Sequence, residues 1–297
     1  MPEYVQNRDI DRTKWDECIA RSCFETIYPY SWYLDMTASN WDGLIDGDYH
    51  AVFPVTWNLK FGIHYVFQPL LTQQLGLFTG DAPGVQQMSE FLNAIPDRFK
   101  HVEINLNASN KFSSPEFKSS RRINYELDMS ARYTEIQDGY STNTSRNIRK
   151  SEDQSLLLKK IDADAFMAFR RKSDDKLKDK DHEARLTRIF SFLAENEKGE
   201  IWGAFSNDRL CAAVVWAFSK TRRIYLNSVS DETGKEIRAM FLLVDDFIKN
   251  NSEAPLVIDF EGSMIPGIAR FFEGFGASRN DYTRIRKSSF PLNIVLK

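Results

Sequence analysis

The sequence predicts an α/β (α+β) chain of two tandem domains, each a mixed, mostly antiparallel sheet flanked by helices. Three observations lead there. First, 297 residues with 42% hydrophobic and 27% charged residues have an ordinary globular composition, long enough for two domains of usual size. Second, segments with apolar residues at i, i+3 and i+4 are interleaved with short alternating or continuous apolar runs. Third, the order repeats: each half reads helices, three meander strands, a helix, a strand and a terminal strand. No Gly/Ser-rich linker separates the halves. The best boundary lies near Ser130–Ser145, which gives domains 1–135 and 136–297.

In the first half, Asp11 caps a helix to Arg21 with Trp15, Cys18 and Ile19 on its apolar face. Ser31 to Ser39 is a second helix. Short strands follow from Trp41 and from His50, with the turn Asp46-Gly47-Asp48 between them. Ile63 to Phe78 reads as a long β-rich run. Gln68, Gln73 and Gln74 border it, to line an inter-domain cleft or to satisfy edge-strand backbone. Pro83 near N1 opens a helix to Ile95. His101–Leu106 alternates as a half-buried strand, and Arg121–Met129 reads as another.

The second half opens with the polar, basic segment Tyr140–Glu152 and the strand Ser155–Ile161. Asp162 caps a helix to about Lys172. The charge run SDDKLKDKDHEAR reads as a solvated loop and helix face, before a helix from Glu183 to Asn196. Three strands run over Glu200–Phe205, Leu210–Phe218 and Arg222–Ser228. A helix Lys235–Asn250 carries an apolar stripe of Ile237, Met240, Phe241, Val244, Phe247 and Ile248. Strand Leu256–Phe260, helix Pro266–Phe275 and strand Tyr282–Arg286 close the chain.

Composition excludes several classes. The net charge of −3 gives no global field toward nucleic acid or anionic lipid. No stretch approaches the roughly 18 apolar residues of a membrane span. The N-terminus lacks a secretory h-region, and three unpaired-looking cysteines fit a reducing compartment, so a cytoplasmic location is expected. Neither the cysteines nor the four scattered histidines have metal-ligand spacing, so no metal is expected. Oligomeric state, monomer or dimer, is open.

The segment DFEGSMIPGIARFFEGFGA, residues 259–277, concentrates the functional signal. A strand that ends in acidic and small residues and hands over to a helix N-terminus is how α/β folds build sites. Asp259 and Glu261 are two apart, so a continuing strand would point both to one face, where like-charge coupling would raise one pKa. Alternatively, one caps the coming helix and the other pairs with a basic residue. Ser263 reads as a helix-start cap rather than a nucleophile. Arg146, Arg149 and Lys150, at i, i+3 and i+4, share a helix face that would hold phosphate or tRNA backbone, or would simply be solvated.

The element order of the second half resembles the GNAT acyltransferase fold. The tandem arrangement resembles its Fem-like branch, the peptidoglycan bridge-forming aminoacyltransferases and their relatives. Two motifs carry the resemblance: SRNIRKSEDQSLLLKK at Ser145–Lys160 and the DFEGS-helix-FG segment. It implies two tandem GNAT-like domains and N-acyl or aminoacyl transfer from a thioester or aminoacyl donor to an amine. Acyl-CoA or aminoacyl-tRNA would be the donor. It further implies Glu261 and Asp259 as base or amine anchor and Tyr282 as acid for the leaving group. Asn227, Ser228 and Val229 would be strand-end donors, and Gly234, Lys235 and Arg238 a phosphate loop. Plain strand-end and core roles also fit Asn227, Ser228 and Tyr282.

One departure stands out. GNAT enzymes cradle the CoA pyrophosphate on a Gly-rich loop, because backbone N–H groups must come close. Here the stretch is ETGKEIRAMFLL, with Glu236 and Arg238 where small residues are expected. A like charge about 4 Å from a pyrophosphate costs on the order of 1–4 kcal/mol. A non-catalytic GNAT-shaped ligand-binding or scaffold protein, or a tRNA- or nucleotide-binding module, is the alternative.

Overall fold

The run Arg121–Met129, read as one strand, is broken at Ile123-Asn124, and its two halves join different sheets. The computed structural model describes residues 1–173, 180–262 and 264–288. Contacts divide the chain into unit 1, Met1–Ile123 with the returning segment from Asn280, and unit 2, Asn124–Arg279. The chain thus passes between units twice, at 123/124 and 279/280. This differs from the single cut expected at 135/136.

In chain order the elements are β1 (Glu3–Val5), α1 (Arg12–Arg21), α2 (Ser31–Thr37), β2 (Asn40–Asp46), β3 (Ala51–Lys60), β4 (Ile63–Val66), β5 (Phe78–Thr79), α3 (Val85–Asn93), β6 (Phe99–Leu106), β7 (Lys118–Arg122) and β8 (Tyr125–Asp128). Then come α4 (Tyr133–Asp138), α5 (Thr142–Glu152), β9 (Leu157–Lys160), α6 (Ala163–Ser173), α7 (Lys180–Glu195), β10 (Gly199–Ser206), β11 (Arg209–Phe218) and β12 (Arg222–Ser230). The last are α8 (Glu232–Glu236), α9 (Ala239–Asn251), β13 (Val257–Asp259), α10 (Pro266–Glu273), β14 (Ser278–Arg279) and β15 (Tyr282–Ser288).

Unit 1 is built on the sheet β1-β2-β3-β4-β6-β15-β7, with β5 also on β3. Pro54 sits inside β3, a position that normally breaks a strand. On one side β3 pairs with β5 only at Ala51–Val52 and with β4 only at Trp57–Lys60. Pro54 falls in the gap, where no strand partner asks for its missing N–H. The expected long run Ile63–Phe78 is only β4 and, after a loop, β5. Within that loop Gln68 accepts from Asn105 N at 3.0 Å and Gln74 accepts from Ala108 N at 3.0 Å. Gln68 and Gln74 thus satisfy backbone, though on and just past the inner strand β6 rather than an edge, and the Gln73 side chain accepts from Gln74.

Unit 2 is built on the sheet β14-β8-β13-β12-β11-β10-β9. Strands β9 to β12 form an antiparallel meander, and β13 joins β12 in parallel. The inner face of α9 packs on this meander, with Val244, Phe247 and Ile248 buried and Phe247 stacked on Trp216 at 3.8 Å. Each such side chain contributes about 1.5–3 kcal/mol by leaving water. The expected helix from Lys235 is two helices, because Arg238 adopts a left-handed backbone (φ 65°) between α8 and α9. Residues 174–179 of the charge run lie outside the described residues; its end, from Lys180, opens α7.

Candidate functional site

Only three residue pairs, Arg222–Ile224 against Val257–Asp259, join β12 to β13. Strand β12 runs on to Ser230, while β13 has ended. Among the described residues, Tyr225–Ser230 therefore lack a strand partner on that side, and the two strands splay into a V. A cavity of ≈ 370 Å³ opens beside this unpartnered end of β12, against α8, α9 and α10.

Each wall has a sequence cause. Strand β12 supplies Tyr225, Ser228 and Ser230. Regular alternation would group Leu226 with Ser228 and Ser230. The register against β11 skips Leu226, between Val215↔Asn227 and Trp216↔Tyr225, and this bulge puts Tyr225 in the lining instead. Burial pushes the Tyr225 phenol up, with a hydrogen bond to Ser228 pulling the other way, so it stays protonated at neutral pH.

A second wall comes from Lys235 at the end of α8, Arg238, and Met240 and Phe241 in the first turn of α9. Arg238 gives that helix start no side-chain cap, so the positive end of the helix dipole lies at this wall, with the Phe241 N–H taken by the Arg238 carbonyl at 2.9 Å. The third wall is α10, through Ile268, Phe271 and Phe272. Phe241 meets Phe271 edge-on at 4.8 Å, and Phe272 stacks on Phe260 at 4.9 Å. The cavity is thus apolar on two sides, with hydroxyls on the strand side and two cations at the helix start.

No protein-family model matches the sequence, and no curated protein is significantly similar to it in sequence. Structural likeness is extensive. FemX superposes with a TM-score of 0.67 at 10% identity, over 92% of this chain and 96% of FemX. A tandem GNAT protein from the clavulanic acid biosynthesis pathway gives 0.55 at 13% identity, over 96% and 97%. L-PGS from Bacillus licheniformis gives 0.53 at 10% identity, over 86% and 87%. The chain has the Fem-like tandem GNAT fold.

Within this Fem-like fold, four of the expected residues line the cavity: Ser228, Gly234, Lys235 and Arg238. Gly234 does so for a reason other than the one expected. A Cβ there would meet the Cys211 carbonyl oxygen at 2.1 Å, and its N–H already donates to Asp231 Oδ1 at 2.8 Å. Glycine is needed to seat α8 on β11, and its donor is taken by a helix cap. Lys235 pairs with Glu232 at 2.7 Å in solvent, and Glu236 is exposed.

Asn227 points the other way, where Arg170 of α6 donates to its amide oxygen. Val229 is half-buried on the same strand and is not part of the lining. Asp259 and Glu261 do not share a face. Asp259 is the last residue of β13, and the backbone turns left-handed at Glu261 (φ 55°), which ends the alternation. Asp259 is fully buried, with Arg222 Nη1 at 3.3 Å and the Glu261 N–H donating to it at 2.9 Å. Burial pushes its carboxyl up to about 6; Arg222 opposes this and Glu126 adds to it. Of the two alternatives for this pair of carboxylates, the ion pair with a basic residue is the one that holds for Asp259. Glu261 lies half-buried just past the strand end.

Tyr282, placed by sequence in the last strand of the second domain, stands on β15 in the sheet of unit 1, opposite Arg122. Unit 2 closes its own sheet with the two-residue β14. Arg146, Arg149 and Lys150 are exposed on α5, whose inner face buries Thr144, Ile148 and Ser151. Ser263 lies outside the described residues. At the start of α10 Ile265 and Ile268 are 60% and 42% exposed, while Phe272 and Phe275 toward its end are buried. Sequence reasoning missed Tyr225, Ser230, Met240 and Phe241 as lining. A bulge brings in Tyr225 and a helix restart Met240 and Phe241, neither visible in hydrophobic period, while Ser230 follows Ser228 by ordinary alternation in a strand that runs past its expected end. Among the described residues no group of three or more His, Cys, Asp or Glu could hold a metal ion.

Proposed function

We propose that this protein is an N-acyltransferase that moves an acyl or aminoacyl group from a thioester or aminoacyl donor to an amine in the V between β12 and β13. The single observation that carries this reading is the splay itself, which opens an apolar cavity against an uncapped helix start. A helix N-terminus with Lys235 and Arg238 beside it suits donor phosphates, and the aromatic wall suits an acyl or aminoacyl side chain. The phosphate cradle would be the start of α9 rather than Gly234.

Transfer needs a neutral amine, a polarised carbonyl and a proton for the leaving group. We assign Glu261, half-buried just past the end of β13, to the amine, because Asp259 is held by Arg222. Tyr225 takes the proton-donor role expected of Tyr282, since its phenol lines the cavity and remains protonated. A cytoplasmic setting and a role for Arg146, Arg149 and Lys150 on tRNA belong to the same reading. Among the described residues no helix is long and apolar enough to cross a membrane.

Calorimetric titration with acetyl-CoA, a long-chain acyl-CoA and an aminoacyl-tRNA, followed by a transfer assay to amines, tests it. One donor is expected to bind, and Tyr225→Phe and Glu261→Gln are each expected to lower kcat about 10²-fold with the fold intact. Binding of no donor would leave the non-catalytic scaffold as the better account. Binding of the tRNA alone, lost steeply with salt and in Arg149→Ala, would favour a tRNA-binding module.

A further inference from the structure

The sheet face of unit 1 formed by β6, β15 and β7 carries a charge arrangement that acyl transfer does not use. Alternation on β15 sends Ile285 into the core, fully buried beside Ile104, so Arg284 and Arg286 stand on the other face. The register sets Arg286 between Glu103 and Lys118, Arg284 between Asn105 and Ser120, and Tyr282 beside Arg122. Glu103, Lys118, Arg122, Arg284 and Arg286 line a cavity of ≈ 240 Å³ with Ser119 and Ser120.

The charges in this cavity do not balance. Glu103 takes Arg284 in an ion pair and lies 3.5 Å from Arg286 Nε. That nitrogen is buried and makes no hydrogen bond. Lys118 and Arg122 carry no ion pair among the described residues, whereas the neighbouring cations Arg121 and Lys287 are matched by Asp281 and Glu116. Four cations thus face one carboxylate. Lys118 directly opposite Arg286 is a like-charge cross-strand pair, which opposes sheet pairing. Burial, and then Arg286, push the Arg284 guanidinium below its ordinary value. A multivalent anion converts this repulsion into attraction, and guanidinium forks match phosphate oxygens two at a time. A cavity smaller than the roughly 300 Å³ of ordinary ligand pockets suits a phosphate or diphosphate group.

We propose that this face binds a small phosphate-bearing anion, of the mono- or diphosphate class, through Lys118, Arg122, Arg284 and Arg286, with Glu103 fixing the two guanidiniums of β15. The site stands apart from the acyl-transfer reading and is tested without it. The full chain is titrated calorimetrically with inorganic pyrophosphate at constant ionic strength set by sodium chloride. Saturable binding is expected, weakened at least about tenfold in Arg122→Gln and in Arg286→Gln. Arg122 makes no ion pair to Glu103, so its variant keeps the fold, which an unchanged thermal midpoint verifies. Three results would overturn the proposal. One is no saturable binding to the unaltered protein. Another is unchanged binding in Arg122→Gln with loss in Arg238→Gln. The third is a single-stranded oligonucleotide that binds far more tightly than pyrophosphate and weakens in the same two variants, which would make the face a nucleic-acid surface.

Discussion

Arg222 Nη1 lies 3.3 Å from Asp259 Oδ2, across the only three residue pairs that join β12 to β13. The same nitrogen reaches Glu126 on β8 at 2.7 Å. All three side chains are at most 14% exposed. One guanidinium therefore ties β8, β13 and β12 together at the closed end of the V, before the strands diverge.

Removing that cation is expected to cost far more than removing one of its partners. Arg222→Met strands two carboxylates in the interior, and breaking a buried pair in this way costs about 3–5 kcal/mol. Asp259→Asn keeps the shape and leaves Arg222 paired with Glu126, at about 1 kcal/mol. Denaturant unfolding of both variants gives the comparison. Equal losses would mean that the triad is not an ionic unit.

Asp259 also makes stability depend on pH. Its folded pKa of about 6 is above that of an unfolded aspartate, so the folded state holds the proton to higher pH. Stability from this group is full below about pH 4, falls as pH rises from about 4 to about 6, and is level above that. His101 in unit 1 works in the opposite sense. Burial, then Arg286 and Arg284, lower its pKa, so its contribution rises as pH climbs toward about 6.5. Urea midpoints across this range, with Asp259→Asn and His101→Gln, separate the two. Asp259→Asn is expected to remove the falling component and His101→Gln the rising one; an unchanged profile in either variant would refute that assignment.

Two glycines on the cavity wall should respond in opposite ways to alanine. At Gly234 the new Cβ would sit 2.1 Å from the Cys211 carbonyl oxygen, which is backbone and cannot swing away. Displacing α8 is expected to cost about 1–3 kcal/mol and to lower donor binding by moving the start of α9. Gly267 has nothing within 4 Å of its Cβ position and lies in α10, so alanine there is expected to be neutral or slightly stabilising. Thermal midpoints of the two variants check this, and a tolerated Gly234→Ala would show that α8 is free to shift.

Most elements were legible in the sequence, as were Ser228, Gly234, Lys235 and Arg238 of the cavity lining. The apolar stripe of α9, the alternation of β6 and the strand-to-helix passage after Asp259 each follow from side-chain period and turn chemistry, which act over a few residues. What each strand pairs with was not legible. Tyr282–Ser288 alternates equally well in either sheet, and only long-range pairing with β6 and β7 draws it into unit 1. The same holds for Arg121–Met129, whose two parts are claimed by two sheets. The site changed for a related reason. The sequence by itself singled out Ser228 and the stretch Gly234–Arg238, parts of which line one cavity. Tertiary structure decided that Asp259 is neutralised by Arg222, that a bulge turns Tyr225 into the cavity, and that Gly234 serves packing. Period-2 and period-3.6 patterns tell which side of an element is apolar; bulges, left-handed residues and buried ion pairs arise from neighbours distant in sequence, and these set the direction of each functional side chain.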